Sequence, residues 1–454
     1  MLSADGLGVA APAAATGPRV EMLVESGVAQ GEPAFTAALN EDFGDPSEPI
    51  TMAEENATAT WTNAQGGDWS DTANWEGGTL PADGDAVDLS GANAGAVITY
   101  SGLDHNFSEV TGDAKLVISG DGNFLILDGG QLDLPEVEVN GGHLWLEGSA
   151  QIQVGSSLSI VAGNLFAQGT SQINVGSGDT FSVSGGTVSV RDAAQVNVTA
   201  GTVNLSGGEV ILGSETNDGS STAAWTQSDG TLNLSGVALL RLTDQTALTV
   251  SGGELHAWDT SRLQVYDSAT LNQSAGEMDF AGSATLHVGN YSTQTGSGAW
   301  NLTGGKFSMA STASVEAVDQ SVLTVDGGEF SLGNGATFRS ATLVQFPSGS
   351  LTGDGTLLIN GGINFGGTLS PGDGEGDLGK IELTTDSNTT DPINFVGDWK
   401  IHLDVLDHHE TGTNSLDIVY LTGQVNYGDS GSVEVDASDA SFHVDPFWDG
   451  GPEI

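Results

Sequence analysis

The chain of 454 residues contains no cysteine. Disulfides and thiolate metal centres are therefore excluded. Cations are nearly as scarce: 9 Lys and Arg stand against 60 Asp and Glu, a formal net charge of -51. Nucleic-acid binding needs a Lys/Arg surface that displaces counterions, so that class is excluded, and docking to anionic lipid is disfavoured. No apolar run is long enough for a membrane span. No basic stretch precedes the Ala-rich segment Gly8–Ala15, which also contains Pro12. A secretory signal is thus not legible, and one is expected upstream or in another form.

What the chain has in quantity is glycine, 67 residues, and a recurring phrase. It reads TFSVSGG at 180–186, TVNLSGG at 202–208, AWTQSDG at 224–230, ALTVSGG at 247–253 and TLNQSAG at 270–276. It continues as AWNLTGG at 299–305, VLTVDGG at 322–328 and TLLINGG at 356–362. The interval is about 22 residues, a period that marks stacked supersecondary units. Each unit holds three short pieces, such as Glu254–Trp258, Arg262–Tyr266 and Ala269–Gln273. Apolar and polar residues alternate within each piece, the pattern of a half-buried strand. The breaks are Gly, Asp, Ser, Thr and Asn, which suit tight turns.

Three strands and three corners per unit predict an all-β fold, a parallel β-helix, right-handed by the crossover rule. Aligning the phrases predicts one inward column of Phe181, Val203, Trp225, Leu248, Leu271, Trp300 and Leu323. A second is predicted through Ile152, Ile173, Val196, Leu240, Leu263, Leu286, Val315 and Phe338. Two units are irregular: 213–223 lacks a clear strand, and the unit 276–305 carries extra residues in 290–298. The expected organisation is an acidic leader over 1–57, an N-terminal β cap over 58–113, the β-helix over 114–366, and a C-terminal β module over 367–454 that reads as truncated.

The opening Met1-Leu-Ser-Ala-Asp-Gly6 is similar to the end of the Leu-Glu-Pro-Arg motif of bacterial surface proteins. Trp61, Gly66-Gly67-Asp68-Trp69 and Asn74-Trp75 are followed by Pro81 and Gly84-Asp85. This run resembles the entry motif of autotransporter-like extracellular β-helix surface proteins. Leu369-Ser-Pro-Gly372 resembles the phrase that closes their repeat arrays. The resemblance spans most of 58–435 and implies a secreted or cell-surface β-helix whose three Trp cover the open first turn. It implies no ligand.

Several β-helix families act on polysaccharides. The Asn-Thr-Asp, Asp-Asp, Gly-His-Gly and Arg-Ile-Lys phrases of polygalacturonase-like enzymes do not occur. A lyase needs basic groups near one centre, yet the repeat region holds only Lys115, Arg191, Arg241, Arg262, Lys306 and Arg339. Arg241 and Arg339 are expected on one face, about four turns or roughly 19 Å apart.

Other candidates come from outward positions. His143, Glu209, Glu254, Glu277, Lys306 and Glu329 are expected in one column, with Glu254 and Glu277 in like-charge contact that Ca²⁺ would relieve. A second column is expected to carry Trp145, Phe166, Ile211 and His256. With Trp258 and Tyr266 nearby, Trp145, His256, Trp258 and Tyr266 are candidate carbohydrate contacts, against the plainer reading of aromatics covered by a loop. Asp373-Gly-Glu375-Gly-Asp377 has the acid alternation of a Ca²⁺ loop without the terminal Glu of an EF-hand. His402, Asp404, Asp407, His408, His409 and Glu410 crowd another segment, which reads as a charged hairpin loop before it reads as a metal site.

The resulting expectation is a non-enzymatic, extracellular or cell-surface rod acting as stalk, adhesin-like spacer or matrix component. It is expected to be monomeric and to need no cofactor, with Ca²⁺ as the candidate ion. A surface polysaccharide or another matrix protein is the expected partner. The alternative is a polysaccharide-binding or polysaccharide-degrading β-helix protein.

Overall fold

The computed structural model describes residues 57–436 apart from 102–103, 121, 215–218, 290–296, 319, 373–378, 386–391, 409–412, 417, 423 and 429. Among the described residues there is no α-helix, and so none long and apolar enough to cross a membrane. Most strands are short and almost all are parallel, as expected for a parallel β-helix. Most pair with the strand one turn away rather than with a sequence neighbour, building three ladders, while the two longest, Asn123–Leu146 and Gln151–Ala167, pair with each other.

The first sheet stacks Ile152, Ile173, Val196, Trp225, Leu248, Leu271, Trp300 and Leu323. The second stacks Leu158, Phe181, Val203, Leu232, Leu255, Met278, Phe307 and Phe330. The third stacks Leu165, Val188, Val210, Leu240, Leu263, Leu286, Val315 and Phe338. All these side chains are buried in one continuous core. The period-2 alternation in the sequence is what makes this possible, since one face of each strand must point inward all along the stack.

The columns expected from phrase alignment are therefore corrected. Phe181 and Val203 belong to the second sheet, whereas Trp225 to Leu323 belong to the first. Likewise Ile152, Ile173 and Val196 belong to the first sheet, and Leu240 to Phe338 to the third. The cause is the corner chemistry. A three-residue corner ends in a left-handed glycine, as at 184–186, where Gly186 has φ 69°. Early in the chain that corner joins the second sheet to the third. From 228–230 onward it joins the first to the second, as at 251–253, where Gly253 has φ 70°. A Cβ at Gly186 would fall within 3.0 Å of the Gly163 carbonyl oxygen one turn away, and one at Gly253 equally close to that of Gly230. Both the backbone sign and the space thus demand glycine. The four-residue corners instead place a left-handed residue second, often aspartate: Asp192, Asp244 and Asp259.

The ladders are not confined to 114–366. They begin at Thr58–Thr60, which pairs with Ala86–Asp88, and reach Ser432–Asp436, which pairs with Lys400–Asp404. One antiparallel hairpin, Val405–His408 with Thr413–Leu416, departs from the parallel pattern. Trp61, Trp69 and Trp75 are buried at the first end, with ring centroids 5.0 Å (Trp61–Trp75) and 4.8 Å (Trp69–Trp75) apart. Trp61 Nε1 donates to the Asn63 carbonyl and Trp75 Nε1 to that of Trp69, so these two indoles are satisfied as well as buried. Burial and the Asp104 charge raise the pKa of Tyr100, which packs edge-on to Trp69 at 5.4 Å.

Candidate functional site

The outward columns are mostly Thr, Ser, Asn and Gln. Asn174–Asn197, Asn272–Asn301 and Asn364–Asn394 form side-chain hydrogen bonds of 3.0, 2.9 and 2.9 Å between successive turns. Such polar ladders tie turns together and leave a flat, regular surface. The exception is the third sheet. The four arginines among the described residues all lie on it or at its edge: Arg191, Arg241, Arg262 and Arg339.

Register puts Arg241, Gln264, His287, Glu316 and Arg339 in one outward column. Arg241 and Arg339 do share a face four turns apart, as their spacing suggested. Arg241 binds Glu209 at 3.0 Å and donates from Nε to Gln264 Oε1 at 3.2 Å. His287 lies edge-on to Tyr266 at 5.3 Å and 3.7 Å from Glu316. Arg262, Gln264, Thr285, Leu286, His287, Ser314 and Glu316 line a shallow groove of about 250 Å³. Arg262 and Arg339 form no ion pair among the described residues, which leaves their guanidinium forks open to a carboxylate or hydroxyl.

The groove contains one carboxylate, Glu316, and Glu209 lies about 19 Å away along the ladder. Two carboxylates facing each other across a bound sugar, as a glycosidase requires, are therefore not assembled in it.

The corner switch also redistributes the candidates from the sequence. His143 and Glu209 are on the third sheet, while Glu254, Glu277, Lys306 and Glu329 are neighbours on the second. Glu254 and Glu277 do stack on adjacent turns. Glu254 lies 3.1 Å from His256, and Lys306, the next residue after Glu277 in the column, is 3.4 Å from Glu329. Among the described residues no three His, Asp or Glu converge as metal ligands.

The four carbohydrate candidates are not brought together. Trp145 stacks on Phe166 at 4.1 Å on the third sheet. Tyr266 is on the same sheet five turns on, about 24 Å away, and is only 6% exposed. His256 is on the second sheet, with Trp258 beside it at the corner, 6.2 Å between rings. Asp373, Glu375 and Asp377 lie outside the described residues, as do His409 and Glu410. The expected column Leu240, Leu263, Leu286, Val315 and Phe338 already places Arg241 and Arg339 on one face, and the fold keeps that alignment. The same alignment pairs Leu239 with Arg262, as the fold does, and carries the signal for the rest of the strip. No protein-family model matches the chain, and no curated protein has a similar sequence.

Proposed function

We propose that this protein is a non-enzymatic β-helix rod of the cell surface or extracellular matrix, serving as a stalk or adhesin-like spacer. The observation that carries this reading is the set of three ladders running from Thr58 to Asp436 beneath flat outward columns of Thr, Ser and Asn. Such a stack holds two ends apart and resists collapse, because each turn contacts only its neighbours and adds a fixed rise of about 4.8 Å. A cysteine-free chain of net charge -51 suits a soluble, salt-bathed exterior.

A spacer depends on length rather than on any one turn. Removing residues 247–269, one full turn from Ala247 to the residue before its partner Thr270, should leave a folded, shorter protein. Its display of a fused reporter should shift with length alone. Release of reducing ends or of unsaturated uronate from a polysaccharide panel by the full chain, lost on that deletion, would contradict the spacer reading.

A second reading rests on the third-sheet groove, whose Arg262, Gln264 and Glu316 offer donors and an acceptor to an acidic saccharide. Retarded migration through gels containing acidic glycans, abolished by Arg262→Ala, would favour it.

A further inference from the structure

The corner between the third and first sheets contains a carboxylate that the fold does not satisfy. Pairing of Leu242 with Val265 brings Asp244 and Asp267 to the same corner position on adjacent turns. Both have left-handed backbone, φ 59° and 58°. Asp244 is 2% exposed and Asp267 is 7% exposed.

Left-handed corner aspartates elsewhere have a fixed job. The Asp192 carboxylate accepts the Gly169 N–H at 2.9 Å, and that of Asp259 accepts the Gly236 N–H at 3.0 Å. Asp244 accepts two, from Ser214 at 2.7 Å and Gly219 at 2.9 Å. Asp267 breaks the rule. Its own N–H donates to the Gly289 carbonyl at 3.1 Å, yet neither of its buried carboxylate oxygens has a hydrogen-bond partner.

A buried carboxylate without donors must gain a proton or a cation. Burial, and secondarily the Asp244 charge, raise its pKa, which would favour the proton. A proton alone is a poor solution, because the new O–H would need an acceptor and Asp267 has no partner within hydrogen-bonding distance. A hard divalent cation answers both oxygens and the neighbouring charge together. Each Asp244 oxygen spends one lone pair on its N–H and retains another for a ligand bond. Oxygen-only donors in an irregular setting suit Ca²⁺ better than Mg²⁺, which demands a near-ideal octahedron.

We propose that Asp267 and Asp244 bind one Ca²⁺ at this corner, clamping two consecutive turns of the β-helix. This is independent of the spacer reading and of the Ca²⁺ candidates at Glu254 and Glu277.

The test uses the full chain after chelation, in buffer at fixed ionic strength, with Asp267→Asn as the variant. Without Ca²⁺ the variant should melt above the wild type, since it removes an unpaired buried charge and keeps its shape. Millimolar CaCl₂ should raise the wild type by several degrees and reverse that order, while moving the variant little. MgCl₂ should do less. Equal shifts of both proteins with CaCl₂ would mean general neutralisation of the acidic surface and would overturn the site. So would no shift in either, and an equal effect of MgCl₂ would overturn its assignment to Ca²⁺. Should Asp267→Asn not fold, calorimetric titration of the wild type with CaCl₂ decides: one tight site above the weak surface background supports the proposal, and a background-only isotherm refutes it.

Discussion

The turns before residue 213 and those after 223 are built from the same parts in a different rotation. In the first group the Gly-ended, three-residue corner joins the second sheet to the third, at 184–186 and 206–208. In the second group it joins the first sheet to the second, at 228–230, 251–253 and 274–276. The turn 195–212 has a three-residue, Gly-ended corner at both 199–201 and 206–208, left-handed at Gly208 but not at Gly201, and is the place of exchange. What repeats along this chain is therefore a corner, not a face. The left-handed Gly230 stacks on Gly201 and the left-handed Gly208 on Gly186, so the column of glycines moves to another corner at the turn that carries both Gly201 and Gly208. The apolar core tolerates the move because each sheet presents the same inward pattern.

That shared core gives the largest expected effect. Leu271→Asp, in the first sheet after residue 223, and Val203→Asp, in the second sheet before residue 213, each bury a charge in a fully enclosed column. Both should cost about 5 kcal/mol or more, read as loss of the folded baseline in thermal or denaturant melts. A large cost for one and none for the other would show that the two groups of turns do not share one core.

The corners come next. Gly253→Ala and Gly186→Ala combine an unfavourable φ with a collision against the backbone of the adjacent turn. Each should cost about 3 kcal/mol. Gly178→Ala isolates the backbone contribution, since Gly178 has φ 86° but open space where a Cβ would stand; about 1 kcal/mol is expected. Equal costs at all three positions, measured by urea titration, would remove the stacking argument.

The same difference between the two groups decides what could be read in advance. The period, the alternation and the Gly-rich breaks announce a parallel β-helix because each follows from local chemistry. Which sheet a strand joins is not local. Trp225 follows the same turn logic as Val203 and ends up one sheet away, because 213–223 is longer than the other corners. The error carries through to the surface, merging Glu209 with Glu254 and Phe166 with His256. Asp267 is illegible for another reason. Its sequence setting resembles that of Asp244 and Asp259, and only hydrogen-bond accounting across turns separates it from them.

The smallest expected effect is at the entry turn. Asp83 accepts the Asn106 N–H at 3.1 Å and lies 3.2 Å from His105, and these partners lower its pKa. A depressed carboxylate stabilises the fold above its unfolded pKa of about 3.9 and loses that contribution as pH falls through the lower folded value. Wild type should thus melt slightly above Asp83→Asn at pH 7, and the gap should close as pH drops below about 3.9. A gap that widens on acidification would reverse the assigned sign.

The register across the exchange is the central claim, and the absence of native cysteine makes it directly measurable. Asn197 and Thr226 are paired neighbours on the first sheet, at about 4.8 Å and within disulfide reach. Phrase alignment would instead pair Asn204 with Thr226, which the fold places on different sheets. Mild oxidation should cross-link the Asn197→Cys/Thr226→Cys protein and leave Asn204→Cys/Thr226→Cys reduced, as read by mobility after denaturation without reductant. Cross-linking of the second pair and not the first would contradict the account.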